Sequence, residues 1–167
     1  MVKEITLSRG KVALVSDEDY ERVSQYKWYA VDWDGTGKSW YARRRFITDG
    51  VRRYVSLHRF IMGVPDSIKV DHIDGDGLNC QRYNLRHATH QQNSQNRRIG
   101  ANNTSGYKGV VFVRRAKTRR WQAQIEHNCK TLYLGRFESA VEAARAYDHA
   151  ARELFGEFAR PNFPEAA

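Results

Sequence analysis

Through the first sixty residues apolar and polar positions alternate in short runs: EITL, KVALV, KWYAVDW, SWYARRRFI and RRYVSL. Alternation of this kind sends successive side chains to opposite faces of a half-buried strand, and DGTG at 34–37 and TDG at 48–50 supply the turns between runs. Between the second and third runs, Ser16 precedes the acidic stretch Asp17-Glu18-Asp19, a cap and first turn that predict a short helix. A second short helix is predicted from His58 to Met62, stopped by Gly63 before Pro65. The N-terminal part therefore reads as α+β.

Beyond residue 70 the pattern loses its apolar members. Thr89 with Gln92 three residues on has the form of a capping box, and the helix it starts stacks His90, Asn93 and Arg97 on one face. QNRRIGANNTSG at 95–106 has no apolar periodicity and reads as a flexible linker. From Tyr107 three strand-like runs follow, YKGVVFVRRA, RWQAQIEH and TLYLGRF. Ser139 with Glu142 then caps a long helix over SAVEAARAYDHAARELF, closed by Gly156. Val141, Ala144, Tyr147 or Asp148, Ala151 and Leu154 predict the stripe that packs on the sheet. Within Arg120–Glu126, alternation assigns Trp121, Ala123 and Ile125 to that helix and Gln122, Gln124 and Glu126 to the opposite face.

Composition changes the picture of that polar face. The 167 residues carry a formal charge of +9 with 12% aromatics, and no acidic residue occurs between Asp76 and Glu126, where ten arginines and lysines fall. A basic, glutamine-bearing sheet suits double-stranded DNA, whose major groove admits strands and whose base edges are read by Arg, Lys, Gln and Asn. Cys80 and Cys129 are isolated, which excludes a disulfide framework and a cysteine zinc finger. No apolar run approaches a membrane span and the N-terminus lacks a signal-peptide core, so a soluble intracellular protein with no membrane partner is expected.

The stretch VDHIDGDGLNCQRYNLRHATHQQN at 70–93 holds the candidate chemistry. Its glycines and acids do not match an EF-hand loop, and no glycine-flanked nucleophile accompanies its histidines. It can be a polar turn, or it can cut phosphodiesters, which needs a base to activate water and a hard cation to neutralise developing charge. Asp71 offers a carboxylate, Asn93 an amide oxygen and His72 an imidazole that titrates near neutrality, a set that suits Mg2+ or Mn2+ better than zinc.

Two families are resembled. Asp71-His72-Ile73-Asp74-Gly75, Asn84-Leu85-Arg86 and Ala88-Thr89-His90-x-x-Asn93, with Leu57-His58-Arg59-Phe60-Ile61-Met62-Gly63 upstream, resemble the phage and intron-encoded branch of the HNH endonucleases. That resemblance implies a ββα-metal unit in which His72 is the general base, Asn84 braces the loop, and Asp71 and Asn93 hold one divalent cation. His90, His58, Arg59 and Arg97 are then candidates for substrate phosphate, while Asp74, Asp76 and Asn79 are turn residues. Tyr107-Lys-Gly-Val, Tyr133-Leu-Gly-Arg-Phe, Ala-Ala-x-Ala-Tyr-Asp at 143–148 and Asn162-Phe163-Pro164 resemble the Apetala2/ethylene-response-factor DNA-binding domain. It implies a three-stranded antiparallel sheet packed on one helix, with Lys108, Val111, Val113, Gln124, Glu126, Thr131 and Tyr133 at DNA-contacting positions. Val111, Val113 and Glu126 cannot replace an arginine there, so plant-type base specificity does not carry over. Arg114, Arg115, Arg119 and Lys130 are candidates for phosphate contacts.

Together these imply a nuclease domain over 1–98, a linker over 99–106 and a DNA-binding domain over 107–164. The expected activity is that of a free-standing or homing endonuclease that nicks as a monomer and needs a dimer or two visits to cut both strands. The rivals are a DNA-binding regulator with an inactive HNH unit and, among enzymes, a structure-specific or RNA-directed nuclease.

Overall fold

The computed structural model describes residues 1–100 and 102–164, and it divides into two compact units, Met1–Thr89 and a second one that starts at His90. In the first unit β1 (Val2–Thr6) and β2 (Val12–Ser16) form an antiparallel hairpin in the register Val2↔Ser16 to Thr6↔Val12. The alternation predicted for this hairpin is visible in its burial, with Ile5, Ala13 and Val15 inside. Helix α1 (Asp17–Ser24) follows directly. Ser16 does not cap it through its side chain; its Oγ accepts instead from the Arg82 amide at 2.9 Å. The hydroxyl thus ties the helix start to a distant turn, a use that local spacing does not reveal.

Strands β3 (Tyr29–Asp32), β4 (Trp40–Thr48) and β5 (Val51–Ser56) make a second antiparallel sheet in that order, and α2 (Leu57–Met62) leaves β5 without a break. Strands β6 (Lys69–His72), β7 (Asn79–Cys80) and β8 (Leu85–Ala88) complete the unit. β6 pairs antiparallel with β8, and β7 lies parallel to β2 as the third strand of the first sheet. Val15, Val23, Trp28, Ala42, Leu57, Ile61, Cys80 and Leu85 share one core. Each large aliphatic side chain buried there contributes about 1.5–3 kcal/mol. Because Leu57, Cys80 and Leu85 begin or end the elements around residues 71–84, this core fixes the ends of the polar loop. The loop is further tied to α1 by Asp19, only 1% exposed, which accepts from Arg22 Nη2 and from Arg82 Nε and Nη2, each at 2.8 Å.

The second unit begins with α3 (His90–Gln95), immediately after Thr89. β9 (Val110–Phe112), β10 (Trp121–His127) and β11 (Lys130–Phe137) form an antiparallel sheet with β10 in the centre. Ala123 and Gln124 pair with Gly135 and Tyr133, so Leu134 bulges out of register. α4 (Ala140–Phe155) lies on this sheet, and the Ser139 hydroxyl caps it by accepting from the Glu142 amide at 3.1 Å. The buried face of α4 is Ala143, Ala144, Tyr147, Asp148, Ala150, Ala151 and Phe155. The predicted stripe is corrected at its ends, since Val141 and Leu154 are 40% and 37% exposed. Four alanines let the helix approach the sheet closely, and this small-residue face takes precedence over the larger aliphatics one position away. The observed architecture is α+β, with a three-stranded antiparallel sheet packed on one helix in the second unit.

Candidate functional site

His72 closes β6, and the register that pairs it with Leu85 pairs Asp71 with Arg86. Asp71 and His72 are each 5% exposed. The Asp71 Oδ2 accepts from Arg86 Nε at 3.0 Å and Nη2 at 2.9 Å, so the carboxylate is buried with a cationic partner, the condition under which burial of a charge is tolerated. The His72 ring meets Tyr41 edge-on at 5.8 Å and His58 at 4.9 Å, and its Nε2 lies 3.8 Å from Cys80 Sγ. Burial pushes the His72 pKa below the ordinary histidine value, against the opposing pull of Asp74, Asp71 and Asp76. Burial also raises the Cys80 thiol well above the usual cysteine range. At neutral pH the site therefore presents a neutral imidazole beside a protonated thiol. Gly77 is required where the loop passes Tyr41: a Cβ there would sit 2.5 Å from the Trp40 carbonyl oxygen and from the Tyr41 ring.

Asn84 is 3% exposed and holds the loop from inside. Its Oδ1 accepts from the Asp74 amide at 3.0 Å; its Nδ2 donates to Asp74 Oδ1 at 2.9 Å and to the Asn79 carbonyl at 2.8 Å. Asp74 also accepts from the Asp76 amide and from Asn79 Nδ2, and Asp76 accepts from the Leu78 amide. Burial opposes ionisation of Asp74, yet these hydrogen bonds hold its pKa below the ordinary carboxylate value. Asp74, Asp76 and Asn79 spend their polarity within the loop.

The remaining nuclease candidates fall into distinct settings. His58, on α2, packs against Tyr41 and His72, and its Nδ1 is buried without a partner; burial, then His72 and Arg59, lower its pKa to about 3. Arg59 donates to the carbonyls of Ile68 and Pro65 and pairs with Asp66 at 3.2 Å, clamping the chain between α2 and β6. His90 and Asn93 are exposed on α3 in the second unit, and Arg97 is exposed just beyond it. Sequence reasoning missed Arg86, Tyr41 and Cys80. The first could have been found by pairing the two strands of the motif, since Arg86 falls opposite Asp71. Nothing in the spacing signals Tyr41.

A hard divalent cation takes oxygen donors. Taken singly, the Asp71 carboxylate of the first unit and the Asn93 amide of the second are oxygen donors, while the thiol of Cys80 stays protonated and supplies no soft ligand. Among the described residues no group of three or more His, Cys, Asp and Glu side chains converges as a metal cage.

In the second unit Thr131 and Tyr133 are exposed on β11 and pair with Glu126 and Gln124 on β10, which places these side chains across from one another. Gln124 Oε1 accepts from Gln122 Nε2 at 3.0 Å. Arg114, Arg115 and Arg119 are exposed in the turn between β9 and β10, and Lys130 is exposed at the start of β11. Lys108 differs: its Nζ donates to the carbonyls of Gln95 and Arg97 at 2.6 and 2.9 Å, and burial, with Arg160 and Arg97 nearby, lowers its pKa to about 8. Asp148, 2% exposed, accepts from Asn162 N and Nδ2 and from Phe163 N, which explains why the motif couples Tyr-Asp on the helix to Asn-Phe in the tail.

Residues 59–95 match the family model described as HNH endonuclease. An uncharacterised HNH endonuclease of Acanthamoeba polyphaga mimivirus is 38% identical over 164 residues, 93% of this chain and 78% of that protein. Protein 3.8 of Escherichia phage T7 is 33% identical over 113 residues, 65% of this chain and 88% of its own length. An Apetala2-like ethylene-responsive transcription factor of Arabidopsis thaliana is 45% identical over 69 residues, 41% of this chain but 14% of the plant protein. No solved structure matches.

Proposed function

The chain belongs to the HNH endonuclease family, and from that premise we propose that it hydrolyses a phosphodiester of double-stranded DNA, selecting its site through the Apetala2-like unit. The carrying observation is the buried, neutral His72 beside an ion-paired Asp71 on a loop locked by Asn84. His72 takes the proton of the attacking water; its neutrality at working pH keeps it competent as a base. Tyr41, His58 and Cys80 fix the plane of its ring. Asp71 and Asn93 would hold one Mg2+ or Mn2+, which when bound neutralises charge on the scissile phosphate and the leaving oxygen. Asn84 does no chemistry; it sets where His72 ends and the loop begins. Hydrolysis in this sense leaves a 5′-phosphate and a 3′-hydroxyl.

The N-terminal domain cuts and the C-terminal one, beyond a tether around residues 99–106, binds. Lys130, Arg114, Arg115 and Arg119 contact phosphate, and Gln124, Thr131 and Tyr133 face the groove. With one site per chain the expected product is a nick, in keeping with a free-standing or homing nuclease. The test is supercoiled plasmid incubated with protein and Mg2+ or Mn2+, with and without chelator. Nicked circles whose ends accept ligase, and their disappearance with EDTA, support the reading; metal-independent nicking contradicts it. Binding of duplex DNA without nicking under every metal condition would instead favour a regulator with an inactive nuclease unit.

A further inference from the structure

The β4–β5 hairpin carries five arginines and one aspartate between residues 43 and 53. β3 covers β4 only from Trp40 to Arg43, so from Arg44 outward β4 has β5 as its sole described neighbour and the pair projects as a two-stranded ribbon. Strand alternation sorts its side chains. Arg44 turns inward and stacks on Tyr26, 3.7 Å from the ring centroid, with Phe46 and Phe60 also in reach. Tyr41, Arg43, Arg45 and Ile47 lie on the other face, joined across the ladder by Tyr54, opposite Arg45, and Arg52, opposite Ile47. The Arg43 guanidinium sits over the Tyr54 ring at 5.1 Å, which confirms that these two share a face.

That face begins at the site. Tyr41 packs on His72 and His58, and Arg43 and Arg45 continue outward from it at strand spacing, about 6.8 Å for every second residue. Arg45, Arg52 and Tyr54 are exposed, Tyr54 by 51%. Among the described residues neither the Arg45 nor the Arg52 side chain has a hydrogen bond or ion pair, and Arg43 Nε is buried without an acceptor. A cationic face with no protein counter-charge, leading out from a phosphodiester-cutting residue, complements a polyanion. A two-stranded ribbon has the width of the B-DNA major groove.

We propose that the Tyr41 face of the β4–β5 hairpin, through Arg43, Arg45, Arg52 and Tyr54, docks double-stranded DNA next to His72. This rests on the reading that the chain acts on DNA. The hairpin then holds the duplex flanking the scissile phosphate, independently of the Apetala2-like sheet.

The experiment uses the full chain in EDTA, titrated onto fluorescein-labelled duplex DNA over a range of KCl concentrations. Arg45→Gln with Arg52→Gln removes two phosphate contacts; the slope of log K against log salt should become shallower by roughly 2, with Kd raised on the order of tenfold. Arg52→Gln alone should give about half the change in slope, and the Arg45→Lys, Arg52→Lys pair should restore most of the affinity. Far-UV circular dichroism and the melting curve verify the fold of each variant. With metal present, the glutamine pair should raise KM and leave kcat at saturating DNA unchanged. Unaltered Kd and salt slope in the glutamine pair overturn the proposal, and if wild type still nicks plasmid, the nuclease reading survives that failure. Hairpin-dependent binding without nicking supports the proposal and defeats the nuclease reading. Loss of affinity for duplex RNA but not duplex DNA overturns the choice of partner.

Discussion

Asn84 pairs with three groups of its loop: the Asp74 amide, the Asn79 carbonyl and Asp74 Oδ1, which also accepts from the Asp76 amide. Asn84→Ala should therefore cost about 2–3 kcal/mol, because each buried donor or acceptor stripped of its partner carries its own desolvation penalty. A urea midpoint equal to that of the wild type would contradict this. The same residue shows what sequence could and could not deliver. The motif pieces that hold Asp71-His72, Asn84 and Asn93 are legible as a family resemblance, because short runs of adjacent letters carry it. The pairing of Asp71 with Arg86, and the enclosure of His72 by Tyr41, His58 and Cys80, depend on strand register and on contacts between residues up to 31 positions apart. The enclosure is what buries His72. His72 is neutral because it is buried, a property that its neighbours in sequence, mostly acids, would have argued against.

Among the elements, strands and turns were the most legible, since period-two runs bounded by Asp-Gly signals need no tertiary information. β1 to β5 and both short helices of the first unit stand where alternation, the acidic first turn of α1 and the Gly63 stop of α2 place them, although Ser16 does not act as the side-chain cap. α4 was legible in extent but not in rotation, because the sequence offers two overlapping stripes and only the approach distance to the sheet decides between them. That distance is set in part by Gly109, whose positive φ of 75° places it under Tyr147; a Cβ there would collide with the Tyr147 ring and lie 2.7 Å from the Gln124 carbonyl oxygen. Gly109→Ala should destabilise the second unit by about 3 kcal/mol through overpacking and backbone strain together. Chemical denaturation reads this directly, and a variant of wild-type stability would mean that α4 can shift away from the sheet at no cost. The β4–β5 ribbon is legible as strands, but only the strand register and the stacking of Arg44 on Tyr26 show which of its arginines face inward.

At the scale of the molecule, the proposed function has the nuclease unit gain site selection from a tethered DNA-binding unit through effective concentration. Deleting residues 105–167 should weaken binding to the preferred site more than it slows chemistry on DNA already bound, as measured by comparing Kd with single-turnover rate at saturation. Equal affinity of the shortened chain would remove that role. No helix among the described residues is long and apolar enough to cross a membrane. The central claim, that His72 activates water for phosphodiester hydrolysis, is tested most directly by His72→Ala in the supercoiled-plasmid assay with Mg2+. The variant should bind duplex DNA within about twofold of wild type and nick it at least roughly 10²-fold more slowly. Nicking by His72→Ala at the wild-type rate would contradict it.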